Sequence, residues 1–198
     1  MLILGSNLMG GTHNVSLSLG SFLYKDPLMM RSESGYQTGG YAHPTVLLKW
    51  GESLSRTQTY YSVNLGYSFT QTNIEPSPHL VLDARLLSMG LSFGKEIPLE
   101  YSMLNVGVGL AYSKFSYRTA FFSIQRRVEK SVISPSIEAA IITKVSENIS
   151  LSFENGFHYF GEQSQPVSFV LDPMHEMNLT RGSVSYRFAI GLLYGFGE

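Results

Sequence analysis

Large and small side chains alternate along the last stretch of the chain, Gly182 to Phe196. Every second residue from Val184 onwards is apolar or aromatic, and the residues between them are mostly Ser, Ala and Gly, with a single charge at Arg187. A period of two held over about fourteen residues predicts one strand with two unlike faces. Its length is sufficient to cross a bilayer, which takes about nine to eleven residues of a tilted strand.

Seven earlier stretches share this alternation. The fourth is the least regular, because Asp83 and Arg85 fall in line with its apolar side chains; either they lie above the bilayer or a bulge shifts the register. The eight predicted strands lie near residues 13–24, 40–50, 57–70, 80–93, 102–117, 132–144, 148–160 and 182–196. The pattern predicts that residues 1–198 form a single all-β domain, an eight-stranded antiparallel up-and-down barrel.

The smaller face of these strands distinguishes a membrane barrel from a soluble one. A soluble barrel turns a face rich in Lys, Glu and Asp towards water, whereas here the smaller face consists mostly of Ser, Gly, Ala and Asn. Such side chains fit the narrow interior of an eight-stranded barrel, so the apolar face is predicted to meet lipid. Charged residues make up only 15% of the chain, which is low against roughly 25% in soluble domains.

The connections between the predicted strands alternate in length. Those at 25–39, 71–79, 118–131 and 161–181 are long, and those at 51–56, 94–101 and 145–147 are shorter. This pattern is typical of outer-membrane barrels, and an even number of strands places both termini on the short-turn, periplasmic side. Pro44 and Pro135 each lose a ladder hydrogen bond, so each is expected at a bulge or a strand end.

Aromatic residues gather near both ends of the predicted strands, as in the interfacial girdles of membrane barrels. The predicted girdle residues are Trp50, Tyr60, Tyr61, Phe93, Tyr101 and Phe196 at the short-turn end, and Tyr24, Tyr41, Phe69, Tyr112, Tyr117 and Tyr159 at the other.

The composition argues against several other functions. Because 14 Lys and Arg stand against 15 Asp and Glu, no basic surface for nucleic acid is predicted, and the lack of Cys excludes disulfides and thiolate metal sites. No cofactor or metal is predicted. The N-terminal MLILGSNLMGG lacks the basic start and the full apolar region of a secretory signal. Either the chain is a mature form with an added Met1, which we favour, or the true start was removed.

Eight alternating strands, short turns at one end, long loops at the other and a terminal aromatic strand together resemble the small bacterial outer-membrane barrels of the OmpA, OmpX and opacity-protein type. The resemblance covers the whole chain and rests on this pattern. It implies an integral protein of the Gram-negative outer membrane. Members of such families usually end on an aromatic residue that resembles an assembly signal, whereas here Phe196 is followed by Gly197 and Glu198.

Two carboxylates on the predicted inner face are the most informative charges. Glu138 and Glu154 are equidistant from Ser146 in the predicted tight turn, so antiparallel pairing places them opposite each other. Two carboxylates at that separation need a nearby cation. Arg187 is the expected partner and Lys49 a more distant one, which predicts a polar network that plugs the lumen.

His158 is predicted to lie in the lumen near this network. Ser152, Glu154 and His158 share one face, which raises the alternative of a barrel enzyme that modifies lipid A. Four strand residues separate His158 from Glu154 by about 13 Å, too far for a hydrogen bond, so no catalytic residue is predicted. A second alternative is a narrow channel for small or apolar solutes, with a lateral gap at Pro44 or Pro135.

The long loops are the predicted interaction surface. The loop 118–131 contains the basic residues Arg118, Arg126, Arg127 and Lys130. Either they form a solvated hairpin tip, or they contact lipopolysaccharide, because Arg side chains suit phosphate groups. Apolar residues at 28–30 in the first long loop can mark a protein-partner surface. The sequence therefore predicts a structural or interactive role, through lipopolysaccharide, a host surface or another envelope protein.

Overall fold

The computed structural model describes residues 11–24, 29–32, 35–38, 42–54, 56–74, 77–121, 124–160, 167–172, 175–180 and 184–196. Its strands are β1 (Gly11–Tyr24), β2 (Met29–Ser32), β3 (Gly35–Thr38), β4 (Ala42–Leu54), β5 (Thr59–Ile74), β6 (Ser77–Pro98), β7 (Met103–Phe121), β8 (Ile124–Lys144), β9 (Ile149–Tyr159), β10 (Val167–Asp172), β11 (His175–Thr180) and β12 (Val184–Phe196).

Eight of these strands form a closed barrel, in the order β1, β12, β9, β8, β7, β6, β5 and β4, with every neighbouring pair antiparallel. The predicted fold class is therefore confirmed. A path that starts at His13 and passes from each residue to its partner on the next strand goes once round the barrel. It returns to β1 at Leu23, ten residues further along that strand. Such a stagger tilts the strands and, with eight of them, leaves an interior that side chains can fill.

The outer face of the barrel is apolar. Leu91 and Ile133 are each 64% exposed and Val108 is 60% exposed, although a soluble protein would bury such side chains. The band of exposed apolar residues continues over all eight strands, as a lipid-facing wall requires. Among the described residues, no helix is long and apolar enough to cross a membrane.

The two ends of the barrel differ. We call the end with the connections 54–59, 98–103 and 144–149 the turn end, and the opposite end the loop end. At the loop end β8 begins at Ile124, so most of the segment 118–131, predicted as a loop, belongs to strands β7 and β8. The prediction was wrong because charged residues interrupt the apolar alternation there, while backbone pairing continues through Phe121 and Ile124.

The first and last long connections contain four further strands that were not predicted. These are β2, β3, β10 and β11, which form a separate four-stranded sheet in the order β10, β11, β2, β3. Their backbones are described, whereas their side chains are not.

Both prolines lie where a strand loses one of its two neighbours. The ladder between β4 and β5 reaches Thr45 and Ser68, one residue short of Pro44, and the ladder between β8 and β9 reaches Ser136, one residue short of Pro135. The other ladder of each strand continues through the proline in unbroken register. A missing N–H is tolerated at a position that is paired on one side only, so the prolines mark the ends of ladders rather than bulges.

Candidate functional site

The interior of the barrel has three layers, which can be followed along one strand. From the turn end to the loop end, the inward residues of β9 are Ser152, Glu154, Gly156 and His158, and Phe160 follows the strand. All five are buried. Small polar residues thus lie nearest the turn end, charged residues in the middle, and aromatic residues nearest the loop end.

The middle layer is a cluster of two acidic and two basic side chains. Lys49 Nζ lies 3.6 Å from Glu138 Oε2 and also forms an ion pair with Glu154. Arg187 Nη2 lies 3.5 Å from Glu138 Oε1. Ser18 Oγ donates a hydrogen bond of 2.6 Å to Glu154 Oε1. The two carboxylates and two cations balance in charge, as buried ions require.

The predicted direct pairing of Glu138 with Glu154 is wrong. Glu138 pairs with Gly156, and Glu154 pairs with Ala140, so the two carboxylates are offset along the barrel. Five residues, 145–149, separate the paired Lys144 and Ser150, two more than the predicted turn contains. Both side chains keep the inward face, because the shift is an even number of residues.

Lys49 contacts both carboxylates, although the sequence favoured Arg187. Strand β4 pairs with β1, and β1 pairs with β12, so Lys49 approaches across the lumen from a wall that sequence spacing does not connect to β8 or β9. Arg187 is 4% exposed, and neither its Nε nor its Nη2 has a hydrogen-bond partner among the described residues.

The loop-end layer is an apolar core inside the barrel, which was not predicted from the sequence. Its buried members are Phe22, Leu47, Leu86, Phe115 and Phe160. The rings of Phe115 and Phe160 pack edge to face with their centroids 5.3 Å apart, and the ring centroids of His158 and Phe22 are 5.2 Å apart. The available signal was the inward parity of Phe22, Leu47 and Phe115, three large side chains in line with small ones.

The predicted lumen residue His158 therefore lies between the charged and aromatic layers. Its Nε2 has no hydrogen-bond partner among the described residues, and its ring stacks near Phe160. Ser152 Oγ donates to Glu154 at 3.4 Å rather than to the histidine. A Ser, His and carboxylate relay is not formed by these three residues.

The turn-end layer is a cavity of about 190 Å³, which was not predicted. Its walls include Tyr60, Glu96, Met103 and Asn105, and its inner end is formed by the cluster around Lys49. Ser53 Oγ donates a hydrogen bond of 2.7 Å to Glu96 Oε1 at the outer part of this cavity. The signal for it was weak, because Glu96 and Asn105 were predicted in a turn and at a strand start.

A second polar site lies on the outer wall at the loop end. We call it the outer charged cluster; its members are Asp83, Arg85, Lys114, Arg118, Arg127 and Glu129, on β6, β7 and β8. They surround a cleft of about 280 Å³ that also contacts Tyr67, Ser116 and Leu87. Asp83 and Arg85 share the outward parity of the apolar belt in an unbroken register, so of the two predicted alternatives the structure has the charges beyond the belt.

Ion pairs organise this cluster. Arg85 Nη2 lies 2.7 Å from Asp83 Oδ2, and Lys114 Nζ lies 2.6 Å from Glu129 Oε2. The hydrogen bond from Lys114, with the nearby Arg127 charge, holds the pKa of Glu129 below its usual range. Arg118 pairs directly with Arg127 across the β7–β8 ladder, so their side chains share the outer face.

Three of the four residues predicted to contact anionic lipid have described side chains, and these divide between the two faces. Arg118 and Arg127 are exposed on the outer face, whereas Lys130 has the opposite parity and is half-buried. The side chain of Arg126 is outside the described part of the structure.

Most of the predicted girdle residues face outward. The exposed ones are Trp50, Tyr61, Phe93, Tyr101 and Phe196 at the turn end, and Phe69, Tyr112 and Tyr159 at the loop end. The prediction for Tyr60 is wrong, because consecutive strand residues point to opposite faces and Tyr61 takes the outer one. Tyr41 and the side chains of Tyr24 and Tyr117 lie outside the described residues.

Within the described ranges, no group of three or more His, Asp or Glu side chains could hold a metal ion. No family model matches the sequence, and a comparison with curated proteins also found no match.

Solved structures match the chain over nearly its whole length. The outer-membrane protein OprG of Pseudomonas aeruginosa has a TM-score of 0.66 at 9% identity, covering 96% of this chain and 97% of its own. Neisserial surface protein A has a TM-score of 0.60 at 13% identity, with 95% and 100% covered. Ail, the attachment invasion locus protein of Yersinia pestis, in complex with the heparin analogue sucrose octasulfate, has a TM-score of 0.56 at 14% identity, with 95% and 100% covered. The chain thus has the fold of the small outer-membrane β-barrels.

Proposed function

We propose that this chain, with the fold of an outer-membrane β-barrel, is an integral protein of the bacterial outer membrane whose lumen is closed and whose outer charged cluster binds lipopolysaccharide. The turn end faces the periplasm and the loop end faces the exterior. The observation that supports this function best is the position of Arg85, Lys114, Arg118 and Arg127, which project outward just beyond the lipid-facing belt.

The chemistry of the cluster suits a phosphate-bearing lipid. Its four basic side chains exceed its two acidic ones, so it has a net charge of two positive units among the described residues. Arg forks bind phosphate oxygens through paired hydrogen bonds. Tyr67 and Leu87 lie at the lower edge of the cleft, where the acyl chains of a bound lipid would begin. Ail, which shares the fold, is described with a sulfated heparin analogue, another polyanion.

The packing of the interior supports a role for the outer surface rather than the lumen. Aromatic side chains at the loop end and the ion cluster in the middle fill successive layers of the barrel. A permeant ion would have to displace both layers, and neither the charged nor the aromatic residues can leave without exposing buried polar groups or apolar surface.

Binding of lipopolysaccharide to the barrel in nanodiscs tests the proposal. The double variant Arg118→Gln/Arg127→Gln should lower affinity about tenfold or more, because it removes two charge-assisted contacts. Arg56→Gln is the matched control, since Arg56 is exposed at the opposite end of the barrel. Equal affinity for the double variant and the control would contradict the proposed site.

Planar-bilayer recordings test the closed lumen separately. The wild-type barrel should give no steady conductance. Steady conductance of the size expected for small solutes would contradict the closed lumen and favour a narrow channel. Lipid binding at the outer wall does not depend on this result.

A further inference from the structure

The turn-end cavity contains a carboxylate without a basic partner. Glu96 lies on β6 directly opposite Asn105 on β7, and both side chains line the cavity. Glu138 and Glu154 each form an ion pair with Lys49. Within the described part of the chain, no Lys, Arg or His forms an ion pair with Glu96. Among the described residues, the hydrogen bond that its carboxylate accepts comes from the hydroxyl of Ser53.

The amide of Asn105 lies on the strand position directly opposite this carboxylate. Asn105 is only 8% exposed, and its Oδ1 has no hydrogen-bond partner among the described residues. A buried acceptor of this kind, beside a carboxylate that lacks a basic partner, favours a ligand that brings both positive charge and N–H donors.

The rest of the cavity wall offers apolar contact. The side chain of Tyr60 packs against two glycines of the neighbouring strands, since an added Cβ at Gly94 would come within 2.7 Å of Tyr60 Cε1 and one at Gly107 within 2.5 Å of its hydroxyl. Met103 lines the same space. An aromatic face and a thioether suit the short hydrocarbon part of an organic cation.

We propose that the turn-end cavity binds a small organic ammonium compound. The ammonium group contacts the Glu96 carboxylate and Asn105 Oδ1, and the carbon chain packs against Tyr60 and Met103. A cavity of about 190 Å³ is larger than a bare ion needs, and one carboxylate is too few for Ca²⁺ or Mg²⁺, which take several charged or carbonyl oxygens. This site is separate from the outer charged cluster, so either proposal can fail without the other.

Titration of the isotope-labelled barrel with 1,4-diaminobutane, followed by NMR at constant ionic strength, tests the inference. The side-chain amide of Asn105 and the ring of Tyr60 should shift and saturate. The neutral isostere 1,4-butanediol should bind at least about tenfold more weakly, because it lacks the charge-assisted hydrogen bond. Sodium chloride alone should leave these signals unchanged. Equal shifts from the diol, or the same saturable shift from sodium, would overturn the proposal.

Two variants test whether Glu96 and Asn105 bind the diamine. Glu96→Gln should lower affinity for the diamine about tenfold, and Asn105→Asp, which adds a second carboxylate, should raise it. Glu100→Gln is the matched control, because Glu100 is exposed at the same end of the barrel. Heat-dependent mobility on denaturing gels checks that each variant is folded. Unchanged affinity in folded Glu96→Gln would overturn the assignment, and so would weaker binding by folded Asn105→Asp.

Discussion

Gly191 illustrates, at the scale of single residues, how closely the inward side chains of neighbouring strands pack. A Cβ built at this position would overlap Ser18 Oγ and lie 2.8 Å from Ser152 Oγ. Ser18 holds the buried Glu154 through a hydrogen bond of 2.6 Å. An added methyl group would therefore displace a hydroxyl that stabilises a buried carboxylate.

Replacing Gly191→Ala should destabilise the barrel by about 1–3 kcal/mol, the cost typical of overpacking. Gly195→Ala on the same strand is the matched control, because a Cβ there would meet nothing closer than 3.7 Å. Urea unfolding of the two variants in detergent micelles measures the difference. Equal midpoints would show that the interior relaxes around the added methyl group.

The lowered pKa of Glu129 leads to a prediction about the effect of pH. Its pKa is lowered by the hydrogen bond from Lys114 and by the charge of Arg127. Because the folded pKa lies below the unfolded one, the contact stabilises the cluster at neutral pH and is lost as the pH falls through the folded pKa. NMR titration should place the Glu129 pKa below that of a free glutamate, and Lys114→Met should raise it. An unchanged pKa in Lys114→Met would contradict the described contact.

At the scale of elements, the ion cluster joins strands that are distant in sequence. Lys49 on β4 contacts Glu138 on β8 and Glu154 on β9, and Arg187 adds β12. The cluster thus connects opposite walls of the barrel across the lumen. Each contact is largely hidden from water, so the loss of one partner leaves an uncompensated buried charge.

Lys49→Met should destabilise the barrel by about 3–5 kcal/mol, since Glu138 and Glu154 would share only Arg187. The control is Lys95→Met, because Lys95 is exposed and, among the described residues, its Nζ donates only to the backbone carbonyl oxygen of Thr57. Thermal unfolding of both variants at neutral pH should show a lower midpoint for Lys49→Met alone. A midpoint equal to that of Lys95→Met would indicate that the carboxylates are protonated.

The alternation of side chains was sufficient to predict the eight barrel strands, since lipid and lumen impose opposite demands on neighbouring residues. The ends of β7 and β8 could not be predicted in this way. Beyond the lipid belt the outer face meets water, so charges such as Arg118 and Arg127 no longer mark a loop. The offset of Glu138 from Glu154 depends on how many residues lie between Lys144 and Ser150, which hydrophobic periodicity does not encode.

At the scale of the whole molecule, contacts across the lumen were the least predictable feature. Spacing along one strand cannot reveal that Lys49 crosses the barrel, or that Phe22, Phe115 and Phe160 meet. These contacts depend on the stagger of all eight ladders, which is a property of the closed barrel. The sequence therefore predicted a filled polar lumen, but not its division into three layers.

The apolar layer makes a testable contribution to stability. Phe115→Ala should cost about 3–5 kcal/mol, because a fully buried ring leaves a cavity that the rigid wall cannot fill. Phe93→Ala removes a ring that is 58% exposed on the lipid face and should cost less. Unfolding in vesicles compares the two variants. A larger loss for Phe93→Ala would place the main stabilising contacts outside the lumen.

The origin of that apolar layer also has a consequence for assembly. Phe22 comes from the first strand, Phe115 from the middle of the chain, and Phe160 follows β9, so the three rings can meet only when β12 joins β9 to β1. Before β12 pairs with β1, the inner face of the barrel is therefore exposed to water. Pairing of these two strands closes the barrel and expels that water in the same step. Separation of β1 from β12 would expose the apolar layer to water. We therefore expect the closed barrel to unfold slowly even where its equilibrium stability is modest.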